Sequence, residues 1–144
     1  MSKKSMVLVV LQFSCFLYFG IDGALFADNF LLLGQLLGLA IGLWGIKTMQ
    51  LGNFNIQPEV KKNAHFISKG PYSLIRNPMY TGVLIFFSIA LYAEFSYMRL
   101  LIYIILTVTL LLKIDAEEKF LTERFSNEYL AYKKKTFRLI PFIY

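Results

Sequence analysis

Two short stretches of this chain hold the groups that could do chemistry. The first is Gly70-Pro71-Tyr72-Ser73-Leu74-Ile75-Arg76-Asn77-Pro78-Met79-Tyr80-Thr81-Gly82, which lies between two apolar regions and carries two of the chain's four prolines. Pro71 after Gly70 sets a turn, while Pro78 fixes its own φ and keeps Asn77 out of the helical region. Asn77-Pro78 is also a helix start, with an amide able to cap free N–H groups and a proline suited to the first helical position. The N-terminus of that helix would offer unsatisfied N–H groups and a positive dipole end, a seat for an anion. Taken alone, the pair is first of all a well-capped helix entrance. The second stretch is Lys113 with Glu117-Glu118. Lys113 and Glu117 are four residues apart and project from one helix face. The carboxylates could hold a cationic ligand group and the lysine an anionic one; alone, the three read equally well as an ion pair on a solvated helix.

Little else offers catalytic side chains. His65 is the only histidine, and at a membrane surface a lone histidine is more often a local hydrogen-bonding residue than a base or ligand. Cys15 is the only cysteine, so no intramolecular disulfide is available, and its apolar surroundings predict a buried inert thiol. One histidine and one cysteine are too few for a conventional zinc or iron site, and no metal is expected.

The elements that must position these groups are apolar helices. With 144 residues the chain has the length of one domain, but 57% hydrophobic residues, 17% aromatics and a mean hydropathy of +0.56 are too apolar for a soluble one. The net charge of +6 does not point to nucleic acid, because the basic residues flank apolar runs. The expected fold is therefore an all-α integral membrane protein, one domain over residues 1–144, with four transmembrane helices and a C-terminal amphipathic helix. The spans fall at about 6–27, 30–49, 78–97 and 99–113, against the ~20 residues a bilayer crossing needs. The first reads as a retained helix rather than a cleaved signal peptide. Asp22 and Asp28, with no neighbouring base, mark the turn after it. The second carries Gly34, Gly38, Gly42 and Gly45 on one face, a stripe suited to close helix packing within the chain or in a homo-oligomer. The fourth is short and needs Arg99 and Lys113 to snorkel at its ends.

Residues 51–77 form a long polar loop ending in the central motif. Residues 115–135 read as an amphipathic helix, with Ile114, Leu121, Phe125, Tyr129 and Tyr132 on one face and Asp115, Lys119, Thr122, Glu123 and Ser126 on the other. Lys133, Lys134, Lys135 and Arg138 then form a patch for anionic lipid headgroups. Four spans place both termini and the loop on one side, together with nearly all lysines and arginines except Arg99. The positive-inside rule makes that side the cytoplasm.

Gly70-Pro71-Tyr72, then Arg76-Asn77-Pro78-Met79-Tyr80 and Gly82, followed after two spans by Glu117-Glu118, Leu121, Phe125, Tyr129, Tyr132, Arg138 and Pro141, resembles the isoprenylcysteine carboxyl methyltransferase family. That family sits in a wider group of membrane methyltransferases that includes the phospholipid N-methyltransferases. The resemblance runs from about Leu51 to Pro141. It implies S-adenosylmethionine as methyl donor, bound at the cytoplasmic face by Ala64, His65, Phe66, Ile67, Tyr72, Asn77, Pro78, Met79, Tyr80 and Glu117, with Glu118 helping. The donor's ammonium would meet Glu117, its carboxylate the helix start at Asn77-Pro78, and Tyr72 and Tyr80 would supply aromatic walls.

Methyl transfer from a sulfonium is an in-line displacement in which a carboxylate acceptor needs no base. Lys113 or Arg138 would orient that carboxylate; an amine acceptor would require a carboxylate such as Glu118 to take its proton. The acceptor is expected to be a lipophilic small molecule or lipid entering from the bilayer. Three positions depart from the family pattern. Asn77 replaces a histidine, Lys113 replaces an arginine and its bidentate fork, and Ser126 replaces a glycine, a small change at a helix surface. Rival readings are phospholipid amine methylation, a membrane reductase resembling the sterol C14-reductases with a nicotinamide cofactor, and a non-catalytic membrane partner.

Overall fold

The structure is a computed structural model and describes residues 3–49 and 66–144. In chain order it contains α1 (Lys3–Ile21), α2 (Leu31–Met49), a short 3-10 turn (Gly70–Ser73), α3 (Pro78–Ala93) and α4 (Tyr97–Lys135). Among the described residues there is no strand, only one parallel backbone bridge between Ile75 and Phe137. At about 1.5 Å per residue, α1 and α2 are each ~28 Å long, close to the ~30 Å of a bilayer's hydrocarbon core. The helices α1, α2 and α4 are long and apolar enough to cross a membrane, and α3 is a shorter apolar helix. Their outward residues are apolar too: Leu17, Leu33, Trp44 and Val108 are all at least half exposed. Such a coat suits hydrocarbon and would be a liability in water.

Several expected boundaries move. The first apolar helix ends at Ile21 rather than near residue 27, and α3 ends at Ala93 rather than near 97. Ser96 opens α4, its side chain accepting from the Arg99 N–H, so the turn between the third and fourth apolar segments comes earlier than hydropathy suggests. More consequentially, the fourth span and the C-terminal helix are one element. Helix α4 runs through residues 113–115 without a break, because Ala116, Glu117, Glu118 and Lys119 that follow are good helix formers and no glycine or proline stops the backbone there.

The break lies instead at Ser126, where φ is 41° and ψ is −115° inside α4. That is a left-handed backbone that only glycine adopts freely. The serine is thus no minor surface change but a strained residue at the kink. Ser126→Gly is expected to raise stability by about 1 kcal/mol, the strain relieved less glycine's extra freedom when unfolded. Thermal unfolding in detergent measures it, and an unchanged or lower midpoint would contradict the strain.

Helices α2 and α3 pack antiparallel through glycine. A methyl at Gly38 would fall 2.9 Å from the Gly82 carbonyl, and one at Gly45 would fall 2.9 Å from the Met79 side chain. The glycine stripe of α2 is therefore used within the chain, against α3. Helices α1 and α4 also pair antiparallel, joined midway along α1 by Gln12 and Lys113 and just past its C-terminal end by Asp22 and Arg99. Asp22 does have a basic partner after all, supplied by the fold rather than by sequence neighbours, with Arg99 Nε 3.1 Å from its carboxylate. Arg99 also donates to the carbonyls of Ala24 (2.6 Å) and Glu94 (2.5 Å). Gln35 accepts from Ala27 N–H (2.8 Å) and donates to Leu25 O (2.9 Å), closing the α1–α2 turn. The core between these pairs holds Cys15 and Phe19 of α1, Phe87 and Ala90 of α3, and Leu106, Leu110 and Ile114 of α4. Cys15 is buried there.

Candidate functional site

Up-and-down helices bring the start of α3, the Lys113 region of α4 and the C-terminal tail to one end of the molecule. Gly70 opens the motif with φ +60°, and a methyl on it would lie 2.9 Å from the Thr48 hydroxyl of α2. Both facts require glycine, and together they seat the turn against the end of α2. Leu74 and Ile75 N–H then donate to Pro71 O (3.3 and 3.0 Å). Beyond the turn the motif meets the tail: Arg76 N–H donates to Phe137 O (2.8 Å) and Phe137 N–H to Leu74 O (2.9 Å).

Pro78 takes the first turn of α3 as expected, but Asn77 does not cap the helix with its side chain. Its Nδ2 donates 3.0 Å to the Arg138 carbonyl, and Thr81 Oγ1 donates 2.8 Å to the Leu139 carbonyl. Tail carbonyls brought into the protein need donors, and these side chains supply them. Asn77 is thus a clamp on the tail, a task that an amide performs without any titrating group.

The adjacent carboxylates live in opposite surroundings. Glu117 accepts a 2.5 Å hydrogen bond from the Tyr80 hydroxyl. Burial pushes the Glu117 carboxyl up to about 7, reinforced by the charge of Glu118, although the Tyr80 hydroxyl and the Lys113 ammonium pull the other way. Glu118 faces three cations: Arg76 Nε at 2.9 Å, Lys133 Nζ at 3.0 Å and Arg138 Nε at 3.6 Å. Burial also opposes its charge, but hydrogen bonds from Arg76 and Lys133 outweigh that and hold it below the ordinary carboxylate range. A base must be able to keep a proton near neutral pH. By that measure Glu117 is better suited than Glu118.

Lys113 is 1% exposed, and its Nζ donates 2.6 Å to Gln12 Oε1 of α1 while standing 5.5 Å from the Tyr80 ring centroid. Arg138 is held elsewhere, by Asp115, by the Tyr144 hydroxyl (2.5 Å) and beside Glu118. The structure therefore brings Lys113, Tyr80 and Glu117 together but puts Arg138 in a separate polar cleft with Asp115, Glu118, Lys119 and Lys133.

An aromatic wall stands over the motif. The Phe66 ring lies 5.0 Å from Tyr132, 5.6 Å from Phe125 and 5.9 Å from Tyr129. The Tyr132 hydroxyl donates 2.6 Å to the Tyr72 carbonyl. Tyr72 itself is 3% exposed, and its hydroxyl has no hydrogen-bond partner among the described residues. Burial first, then the charges of Glu117 and Tyr132, raise that phenol well above its usual range, so it stays a neutral donor. A buried hydroxyl without a partner among the described residues, a carboxyl poised near neutrality and a cluster of edge-to-face and tilted rings fit a polar, aromatic, cation-bearing ligand such as S-adenosylmethionine.

The remaining expected residues are distributed around this centre. Ala64 and His65 lie outside the described residues. Ile67 is half-buried, and Pro78 and Met79 pack on Gly45 of α2. Sequence reasoning missed Gln12 and Thr136, and it placed Arg76 in the motif without giving it a role. Gln12 had a signal, since an amide in an apolar span must find a partner. Arg76 donates to Thr136 O (2.6 Å) as well as to Glu118, a role only the folded tail reveals.

No curated protein matches the chain. The family model described as phospholipid methyltransferase matches residues 5–128, which includes α1, α2, α3, the turn motif and both carboxylates of α4. With most of its length matched, the Gly70–Gly82 motif and both α4 carboxylates included, this chain belongs to the phospholipid methyltransferase family, one of the membrane methyltransferases.

Proposed function

We propose that the protein is an S-adenosylmethionine-dependent methyltransferase, isoprenylcysteine carboxyl methyltransferase-like, that acts on a lipophilic acceptor, a carboxylate on an isoprenoid or lipid chain. The observation that carries this is the Tyr80–Glu117 pair beside Lys113, at the junction of the turn motif and α4. When bound, the donor supplies an electrophilic methyl group on a sulfonium. Glu117 would take its ammonium, and Tyr72 and the Phe66–Tyr132 wall its aromatic and cationic parts. Lys113 would orient the acceptor carboxylate, which is ionised at neutral pH and needs no base. Residues 1–144 would act as one domain with four crossings, α3 included. The site and both termini would face the cytoplasm, because this end carries Lys3, Lys4, Arg76 and the Lys133–Lys135 run.

A second reading is methylation of a phospholipid amine. The matched family's description favours it, and so does Glu117, whose carboxyl near 7 suits removal of a proton from an ammonium.

The test is titration of nanodisc-embedded protein with S-adenosylmethionine, alongside Glu117→Gln and with NADPH as competitor. Saturable binding weakened at least about 30-fold in the variant is expected, the loss of a charge-assisted contact. Because the charged form of Glu117 is the one that holds an ammonium, affinity should rise with pH through about 7. Between pH 6 and pH 8 the ionised fraction grows about tenfold, and affinity should follow until it levels off. Glu117→Gln should flatten that profile. No donor binding by folded wild-type protein would sink the proposal, and NADPH binding in its place would favour a reductase.

A further inference from the structure

Beside the pair formed by Tyr80 and Glu117 lies a cavity of about 470 Å³, walled by Phe13 and Phe16 of α1, Leu39 and Leu43 of α2, and Val83 and Phe87 of α3. Its volume is that of a small-molecule site. Phe16 of α1 stacks on Phe87 of α3 at 5.1 Å beside the cavity, which α1, α2 and α3 line together. Phe13, Leu39 and Leu43 are also about half exposed on the outer, lipid-like surface, so the mouth opens sideways. The lining is apolar except at one end, where Gln12, Tyr80 and Lys113 gather.

We propose that this cavity takes a single-chain amphiphile with an anionic carboxylate head, and that Gln12 is the positioning residue that fixes this preference by holding the Lys113 ammonium at the polar end. Gln12 is buried in the middle of α1, and its Oε1 accepts from Lys113 Nζ at 2.6 Å. A lysine at the end of an apolar run ordinarily extends its flexible stem toward water. Tethering to the neutral amide of Gln12 holds the ammonium at the polar end of the cavity, with the Glu117 carboxyl as a further charged neighbour. An apolar chain with a carboxylate head matches that lining in polarity and sign, whereas an ammonium head would meet a like charge in a low-dielectric space. This deepens the proposed function and rests on it for the identity of the acceptor, but ligand binding to the cavity is measurable without methyl transfer.

The experiment is competition against radiolabelled palmitate on full-length protein in detergent, with unlabelled palmitate and hexadecylamine as competitors and donor titration run separately. The wild type is expected to prefer palmitate by at least about tenfold. Gln12→Glu sets a carboxylate against Lys113 and should erase or invert that preference. Gln12→Met, which removes the tether without adding charge, should weaken palmitate several-fold. Gly42→Leu fills the cavity at a position where a methyl has only the Met79 carbonyl at 3.9 Å, and it should abolish binding of both amphiphiles. Equal or inverted preference in the wild type would overturn the proposal, as would palmitate binding that survives both Gln12→Glu and Gly42→Leu in folded protein. Should the donor fail to bind while palmitate selectivity holds, the methyltransferase reading falls and the cavity assignment stands.

Discussion

Replacing Gly82 by alanine is expected to cost about 2 kcal/mol or more and to reduce the yield of folded protein sharply, although the change is one methyl group. That methyl would lie against the Gly38 carbonyl, 2.7 Å from the Gly42 nitrogen and 2.9 Å from its Cα. All three are backbone atoms of α2, so no side chain can swing aside, and the two helices must separate along their whole contact. The separation would also move Tyr80, two residues away, from Glu117. Gly42→Ala is the control, since a methyl there meets only the Met79 carbonyl at 3.9 Å and should be tolerated. Thermal unfolding in detergent compares the two. A Gly82→Ala variant as stable as Gly42→Ala would mean that α2 and α3 do not approach as closely as their glycines indicate.

Gly82 also shows how far the sequence could be read. As the last residue of the Gly70–Gly82 motif it looked like part of a ligand site, yet its contacts are those of the α2 glycine stripe. The stripe was legible because small residues at helical spacing have a period; its partner was not, because one glycine has none. The apolar helices were legible for the same reason, through runs of hydrophobic residues near the length a bilayer requires. Their ends were less so: α1 stops six residues before Ala27, and α4 continues where polarity alone suggested a new element. Helix continuity depends on backbone conformation, to which hydropathy is blind. Within the site, the meeting of Tyr80, Lys113 and Glu117 follows from their spacing on two adjoining helices. The contrast between Glu117 and Glu118 does not. Neighbours in sequence point about 100° apart on a helix, and which of them meets Arg76, Lys133 and Arg138 is settled only when the tail folds back.

That folding back rests on Arg76 and Glu118, and removing either is the second change expected to have a large effect. The Arg76 guanidinium spans Glu118 at 2.9 Å and the Thr136 and Lys133 carbonyls at 2.6 and 3.3 Å, with both side chains about nine-tenths buried. Glu118→Ala leaves Arg76, Lys133 and Arg138 facing one another with no anion between them, and breaking such a buried pair costs about 3 kcal/mol. Arg76→Ala strands two carbonyls as well as the carboxylate; Arg76→Lys retains charge but not the fork that reaches three acceptors, and should recover only part of the loss. Each single variant should free the tail and loosen the end of α4, so that trypsin cuts faster within the Lys133–Lys135 run, whose lysines already face solvent at 134 and 135. The double variant should cost at least about 1 kcal/mol less than the two singles added, since each alone leaves a buried charge that the other removes. Acid should imitate Glu118→Ala. The folded-state pKa of Glu118 is depressed, so its contribution is complete above the unfolded carboxylate value and is lost as pH falls through the lower folded one. Donor titration separates this role from that of Glu117. In Glu118→Gln protein that remains folded, donor affinity should stay within a few-fold of wild type, against the much larger loss expected for Glu117→Gln. Equal losses would place both carboxylates on the donor and remove the distinction between a carboxylate that binds and one that holds the tail.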